Sequence, residues 1–144
     1  MNALAEIEIA TRGPGLTEFT DRAVDHVASA GLGTGSLTVY VRHTSCSLLV
    51  QENADPDVRR DLQAFFRRLA PRASDPSMSY LVHRQEGDDD MPAHIRAALT
   101  ATSLTIPVSG GRPLLGTWQG LYLFEHRDRP HRRRVVLHAM GDGA

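Results

Sequence analysis

Ser103-Leu104-Thr105-Ile106-Pro107-Val108-Ser109-Gly110-Gly111-Arg112 decides the fold class, together with Gly116-Thr117-Trp118-Gln119-Gly120-Leu121-Tyr122-Leu123-Phe124-Glu125. Leu104, Ile106 and Val108 alternate with Thr105 and Pro107, the period of two of a half-buried strand. Pro107 has no N–H to give a second neighbour, so this strand is an edge or contains an irregularity. Ser109-Gly110-Gly111 turns the chain, and the glycines on either side of Trp118 suggest close backbone packing at a second tight turn. Strands follow over 121–125 and 135–140. Short glycine-rich connections favour antiparallel pairing, because parallel strands need a long crossover. The spacing at 116–120 is neither a dinucleotide fingerprint nor a P-loop, since no lysine followed by serine or threonine closes it.

Upstream, Ala3, Ala5, Ile7 and Ile9 alternate through a first strand, which Gly13-Pro14-Gly15 ends as a turn. A helix carries Phe19, Ala23, Val24, Val27 and Ala30 on one face, and 31–35 closes it. Strands are expected over 36–41 and 47–51, with the polar His43-Thr44-Ser45-Cys46-Ser47 between them and Glu52-Asn53 at the tip. Asp55-Pro56-Asp57 starts a second helix: an acceptor at the cap, proline in the first turn, and an acid at the positive end. Val58, Leu62, Phe65, Phe66 and Leu69 are its expected inward side. The order of elements excludes a regular doubly wound fold. It predicts an α+β protein of mixed or mostly antiparallel sheets, β-sandwich-like, with flanking helices.

The chemistry concentrates in His83-Arg84-Gln85-Glu86-Gly87-Asp88-Asp89-Asp90-Met91-Pro92-Ala93-His94. Pro92 suits the first turn of a helix, which puts Asp90 at its N-terminus and His94 in the first turn beyond. Crowded carboxylates resist joint ionisation unless a cation, a donor array or a helix end offsets them. With two imidazoles in the same stretch, the expectation is a metal site. Ile95, Ala98 and Leu99 are the expected inward side of this helix. His43 is a further candidate, because it stands where polarity interrupts two apolar strands.

At 144 residues the chain is expected to form one domain spanning 1–144, with no room for a separate catalytic module. No apolar run of membrane length and no leader pattern is present, and one cysteine, Cys46, excludes an intrachain disulfide and a thiolate cluster. These features suggest a cytoplasmic protein. Net charge is −1, with Arg127, Arg129, Arg132, Arg133 and Arg134 gathered late. That run reads as a solvated turn and strand edge, so nucleic acid is not the expected partner.

Three groups of motifs carry a resemblance. They are His43-Thr44-Ser45, the run from Glu52-Asn53 through Asp61, and the stretch from His83 through Glu86-Gly87, Asp89, Asp90 and His94. Together with residues 102–108, Gly111-Arg112, 116–120 and Glu125, they resemble the YjbQ, or UPF0047, family over nearly the whole chain. The resemblance implies a compact β-sandwich-like α+β fold and a homotrimer. It also implies weak secondary thiamine-phosphate synthase activity, joining a pyrimidine methyl diphosphate to a thiazole phosphate with release of pyrophosphate.

Residue chemistry and resemblance together predict that His43, His83 and His94 hold a divalent metal, zinc, nickel or iron, with a position open for water or substrate. Glu52 is the candidate proton acceptor, and Glu86 and Asp89 are further catalytic candidates. Asn53, Asp90, Arg112 and Thr117 are assigned to cofactor and phosphate binding, with magnesium expected alongside a phosphorylated substrate. Metal-assisted hydrolysis of a phosphorylated metabolite and non-catalytic binding of a metal or small ligand are the alternatives.

Overall fold

The computed structural model describes residues 1–144. The elements are β1 (Asn2–Ala10), β2 (Gly15–Glu18), α1 (Thr20–Ala30), β3 (Leu32–Val41), β4 (Cys46–Glu52), α2 (Pro56–Leu69), α3 (Asp90–Leu99), β5 (Ser103–Ser109), β6 (Arg112–Pro113), β7 (Gln119–Glu125) and β8 (Arg132–Gly143). Two sheets form, ordered β1-β8-β3-β5-β6 and β2-β7-β4, and every pairing is antiparallel. The α+β expectation therefore holds, in an all-antiparallel form.

The core lies between the sheets. Leu37, Val39, Val135 and Leu137 come from the larger sheet, Leu48, Leu121 and Leu123 from the smaller, and Phe19, Ala23 and Val27 from α1 and its entry. Alternation sorts β7. Leu121 and Leu123 enter this core, while Tyr122 and Phe124 meet α2, where Arg59 donates to the Tyr122 hydroxyl at 3.2 Å and Phe66 packs edge-on to Phe124 at 5.3 Å. Pro107 sits in β5, which only the two-residue β6 edges, as its missing N–H requires. Gly35 is needed for close approach: a Cβ there would run into the Met140 carbonyl of β8.

Several local expectations are corrected. Residues 15–18 form a strand, because the Gly13-Pro14-Gly15 turn delivers them to the edge of β7. β3 begins at Leu32, since Gly31 alone, at φ 71°, takes the left-handed turn out of α1. On α2 the buried side is rotated: Phe65 and Leu69 are 58% and 50% exposed, whereas Gln63 is buried. On α3, Pro92, Ala93, Arg96 and Ala97 face inward, and Ala98 and Leu99 are exposed. Both helices are amphipathic, but tertiary packing selects an arc that includes polar side chains.

Candidate metal centre

The site grows from the first turn of α3. Asp90 opens the helix and Pro92 occupies its first turn, as the proline position requires. Asp90 and His94 are four residues apart and share one face. His83 arrives on the preceding loop, which is fixed by side chain to backbone bonds. Arg84 donates to the carbonyls of Ala73, Met78 and Leu81, each at 3.0 Å. Asp88 accepts from Ser74 N and Oγ, both at 2.7 Å. Gly87, at φ 108°, makes the turn into Asp88-Asp89.

Two imidazoles converge on one carboxylate oxygen. His83 Nε2 lies 2.7 Å and His94 Nε2 3.1 Å from Asp90 Oδ2. The other nitrogen of His94 is 2.8 Å from the Thr44 carbonyl. A carbonyl only accepts, so Nδ1 carries the hydrogen and Nε2 of the neutral ring turns its lone pair on Asp90. Two lone pairs at that distance repel unless a proton or a cation lies between them. The remaining Asp90 oxygen accepts from Arg127 Nη1 at 2.8 Å. Arg127 also donates to Asp89 Oδ2 at 2.9 Å and to the Glu86 carbonyl at 3.0 Å. Burial works to raise the Asp90 carboxyl, but the His83 hydrogen bond, the His94 charge when that ring is protonated, and the Arg127 charge outweigh it and hold it below the usual range. Burial likewise opposes ionisation of Asp89, and Arg127 with the Asp128 N–H outweighs it.

One ligand atom each from His83, Asp90 and His94 lies within 4.8 Å of the others. Two imidazoles and a carboxylate suit zinc, iron or nickel and leave positions for water or substrate. Arg127 and Thr44 O supply the outer partners that fix ligand orientation.

The other sequence candidates fall elsewhere. His43 is adjacent to Thr44, yet its imidazole turns away and Nε2 accepts from Arg134 N–H at 2.9 Å. The third group gathered with His83 and His94 is thus Asp90, and His43 is not among them. Burial, then the Arg133 charge, lowers the pKa of His43. Glu52 Oε2 accepts from the N–H groups of Ala54 and Asp55 at 3.0 and 2.8 Å, so its carboxylate supports the entry to α2. Asn53 donates to the Thr117 carbonyl at 3.2 Å. Both lie at the Glu52 end of β4, at least six residues from Cys46 at the other end, which is about 20 Å at roughly 3.3 Å per residue. Arg112 is exposed on β6. Of the catalytic candidates, Asp89 is ion-paired beside the cluster, and Glu86 contributes its backbone carbonyl.

Sequence reasoning missed two arginines by treating the late basic run as solvated. Arg127 fixes both aspartates, and no local pattern marks it. Arg133 is buried against Glu125, and here period two held the signal: positions 133, 135, 137 and 139 share the inward face of β8.

Comparison with known proteins agrees with this architecture. The chain is 53% identical to UPF0047 protein sll1880 of Synechocystis over 134 residues, covering 93% of this chain and 88% of the relative. It is 36% identical to UPF0047 protein YjbQ of Escherichia coli O157:H7, covering 94% of this chain and 96% of that one. Among solved structures, hypothetical protein APE1520 from Aeropyrum pernix superposes with a TM-score of 0.86 at 29% identity, covering 97% and 99% of the two chains. A YjbQ/UPF0047 family protein from Clostridium acetobutylicum superposes at 0.80 with 32% identity, covering 92% and 97%. The model of the family described as UPF0047 protein YjbQ-like matches residues 5–142, and this chain belongs to that family.

Proposed function

We propose that this chain is a metal-dependent enzyme acting on a phosphorylated small molecule, with its divalent cation held by His83, Asp90 and His94. The observation that carries the reading is the sharing of Asp90 Oδ2 by two imidazole nitrogens, with His94 Nδ1 committed to Thr44 O and Asp90 Oδ1 to Arg127. Such an arrangement brings three donors to one point and fixes two of them, His94 and Asp90, from behind. A divalent cation there supplies Lewis-acid stabilisation of the negative charge that develops on phosphoryl oxygens.

The chain's own residues do the rest. Arg127 holds Asp89 and Asp90 ionised and oriented, and the carbonyl of Thr44 sets the His94 tautomer. In its finer form the reading is the thiamine-phosphate synthase-like transfer: the pyrimidine methylene loses pyrophosphate and gains the thiazole phosphate. Homotrimer formation belongs to the same proposal, and light scattering that gave a monomer at micromolar concentration would count against it. One observation favours a second reading, non-catalytic metal binding: Asp89 and Asp90 are both engaged by Arg127, so neither is a free base at the cluster.

The test is to load metal-free protein with zinc, nickel or iron, and then supply magnesium and both thiamine precursors. Thiamine phosphate and pyrophosphate should form with wild type and fall about a hundredfold or more with His94→Ala. Metal uptake without turnover of this or any other phosphorylated substrate would select the binding reading. Elemental analysis below about a tenth of an equivalent after such loading would remove both.

A further inference from the structure

Four buried side-chain atoms in this molecule have no hydrogen-bond partner: Gln63 Nε2, Gln63 Oε1, Arg96 Nε and His126 Nδ1. Their three residues line one cavity of about 70 Å³, under α2 and beside the first turns of α3. All three are more than nine-tenths buried, at 9%, 7% and 1% exposure for Gln63, Arg96 and His126. Native proteins leave few buried polar atoms unpaired, and four around one space point to an occupant.

Charge selects the kind of occupant. Arg96 donates to the Ala70 carbonyl at 2.8 Å, but no carboxylate lies within ion-pair distance of it. Arg67 also lines the cavity and has no ion pair. The two acids in the wall are already neutralised: Asp128 pairs with Arg72 at 2.8 Å and Asp89 with Arg127 at 2.9 Å. The lining thus carries three arginines against two aspartates, an excess of one positive charge, with Arg96 and Arg67 the guanidinium groups free of a carboxylate; its amide and imidazole groups are able to donate. It holds several waters or one small ion and opens to solvent at Arg67, so a larger molecule would reach it only with a terminal group.

We propose that this cavity is a binding site for a small oxyanion of the phosphate or sulfate class, held by Arg96, Arg67, Gln63 and His126. Arg96 Nε–H and the Gln63 amide donate to oxyanion oxygens, and Arg67 closes the exposed side. His126 joins as a donor through Nδ1–H when Ser47 Oγ–H is given to its Nε2, 2.9 Å away. The site is separate from the metal centre. Asp90 and His94 face one side of α3, whereas Pro92 and Arg96 face this cavity.

Calorimetry on metal-free protein tests it, with inorganic phosphate titrated in gluconate buffer, whose anion exceeds the cavity. One equivalent per chain should bind, and Gln63→Leu should weaken it about tenfold or more while zinc uptake at His83, Asp90 and His94 stays unchanged. A parallel titration with glycerol phosphate distinguishes free oxyanion from a phosphoryl group on a larger molecule; binding of either supports the site. Crystals of wild-type protein soaked in selenate give a readout independent of any variant, with an anomalous peak expected between Arg96 and Gln63. Water alone in that cavity, or wild-type phosphate affinity in Gln63→Leu, overturns the proposal. Because the metal is absent, failure here leaves the metal reading untouched, and loss of metal binding leaves this one untouched.

Discussion

Asp90 and Glu125 are both carboxylates held by an arginine near histidines, and they do opposite things. Glu125 is fully buried and saturated: Thr11 Oγ1 and Arg133 Nε donate to Oε1 at 2.7 and 2.9 Å, and the N–H groups of His126 and Arg127 donate to Oε2 at 3.1 and 3.2 Å. Arg133 also donates to Oε2. Asp90 has one oxygen fixed by Arg127 and the other shared by two imidazoles that are themselves partly exposed. Fixed backbone and guanidinium donors leave Glu125 no capacity for a ligand. Imidazoles can trade a proton for a metal, so Asp90 keeps that capacity. Arg127 joins the two regions, its N–H on Glu125 and its guanidinium on Asp89 and Asp90.

The largest effect should come from breaking the saturated region. Arg133→Met leaves the Glu125 charge buried without its cation, and loss of one member of such a pair costs about 3–5 kcal/mol. Urea denaturation should show this as a lower midpoint at unchanged slope. A loss under about 1 kcal/mol would mean that the remaining donors suffice, and that the contrast with Asp90 is one of degree.

How much of this contrast was legible follows from what each residue needs. The strands were readable because alternation is a local signal, and the first turn of α3 because Pro92 and Asp90 act within a few residues. His83, Asp90 and His94 stood out as one stretch for the same reason. His43 did not meet them because its orientation depends on Arg134 across the sheet, which spacing along the chain does not encode. Glu52 looked like a base in sequence, but its oxygen meets the N–H groups of its own next turn. Gln63 and Arg96 were hidden for a different reason: polar residues on amphipathic helices are assigned to water, and these line a cavity.

The second effect sharpens the open region. Removing a ligand with His94→Ala or Asp90→Ala should weaken zinc or nickel by more than the roughly 10–100-fold typical of losing an outer partner. Competition with a chromogenic chelator measures it. His43→Ala should change affinity much less, since its nitrogen accepts from Arg134 N–H. Equal losses from His43→Ala and His94→Ala would place His43 back on the metal, through a partner subunit or a rearranged loop.

The third concerns pH. Burial lowers the pKa of His126 to about 3 from the ordinary 6.5. Between those values the unfolded chain binds the proton and the folded one does not, so stability present above pH 6.5 is lost as pH falls towards 3. The slope for one such group is about 1.4 kcal/mol per pH unit. His43, lowered in the same direction, adds to this limb. Glu125, Asp89 and Asp90 are also depressed, so their contributions disappear only at lower pH, as it falls through their folded values. His126→Phe should flatten the upper part of the limb and leave the lower part. Identical pH profiles for this variant and wild type would show that the ring protonates without unfolding.

The smallest effect is expected at Cys46, which lies at the same end of β4 as both regions and belongs to neither. It is fully buried in the core, and burial raises its thiol to about 12. A thiol so far from ionisation is neither nucleophile nor metal ligand at neutral pH. It packs as a small apolar group beside Leu48 in the core between the sheets. Cys46→Ala should therefore cost only about 1 kcal/mol, the loss of one buried atom, with metal affinity and any turnover unchanged. Native protein should resist a thiol reagent until denatured. Rapid labelling of the folded chain would show that the Cys46 end of β4 opens, and the separation between a closed Glu125 region and an open Asp90 region would then fail at the strand they share.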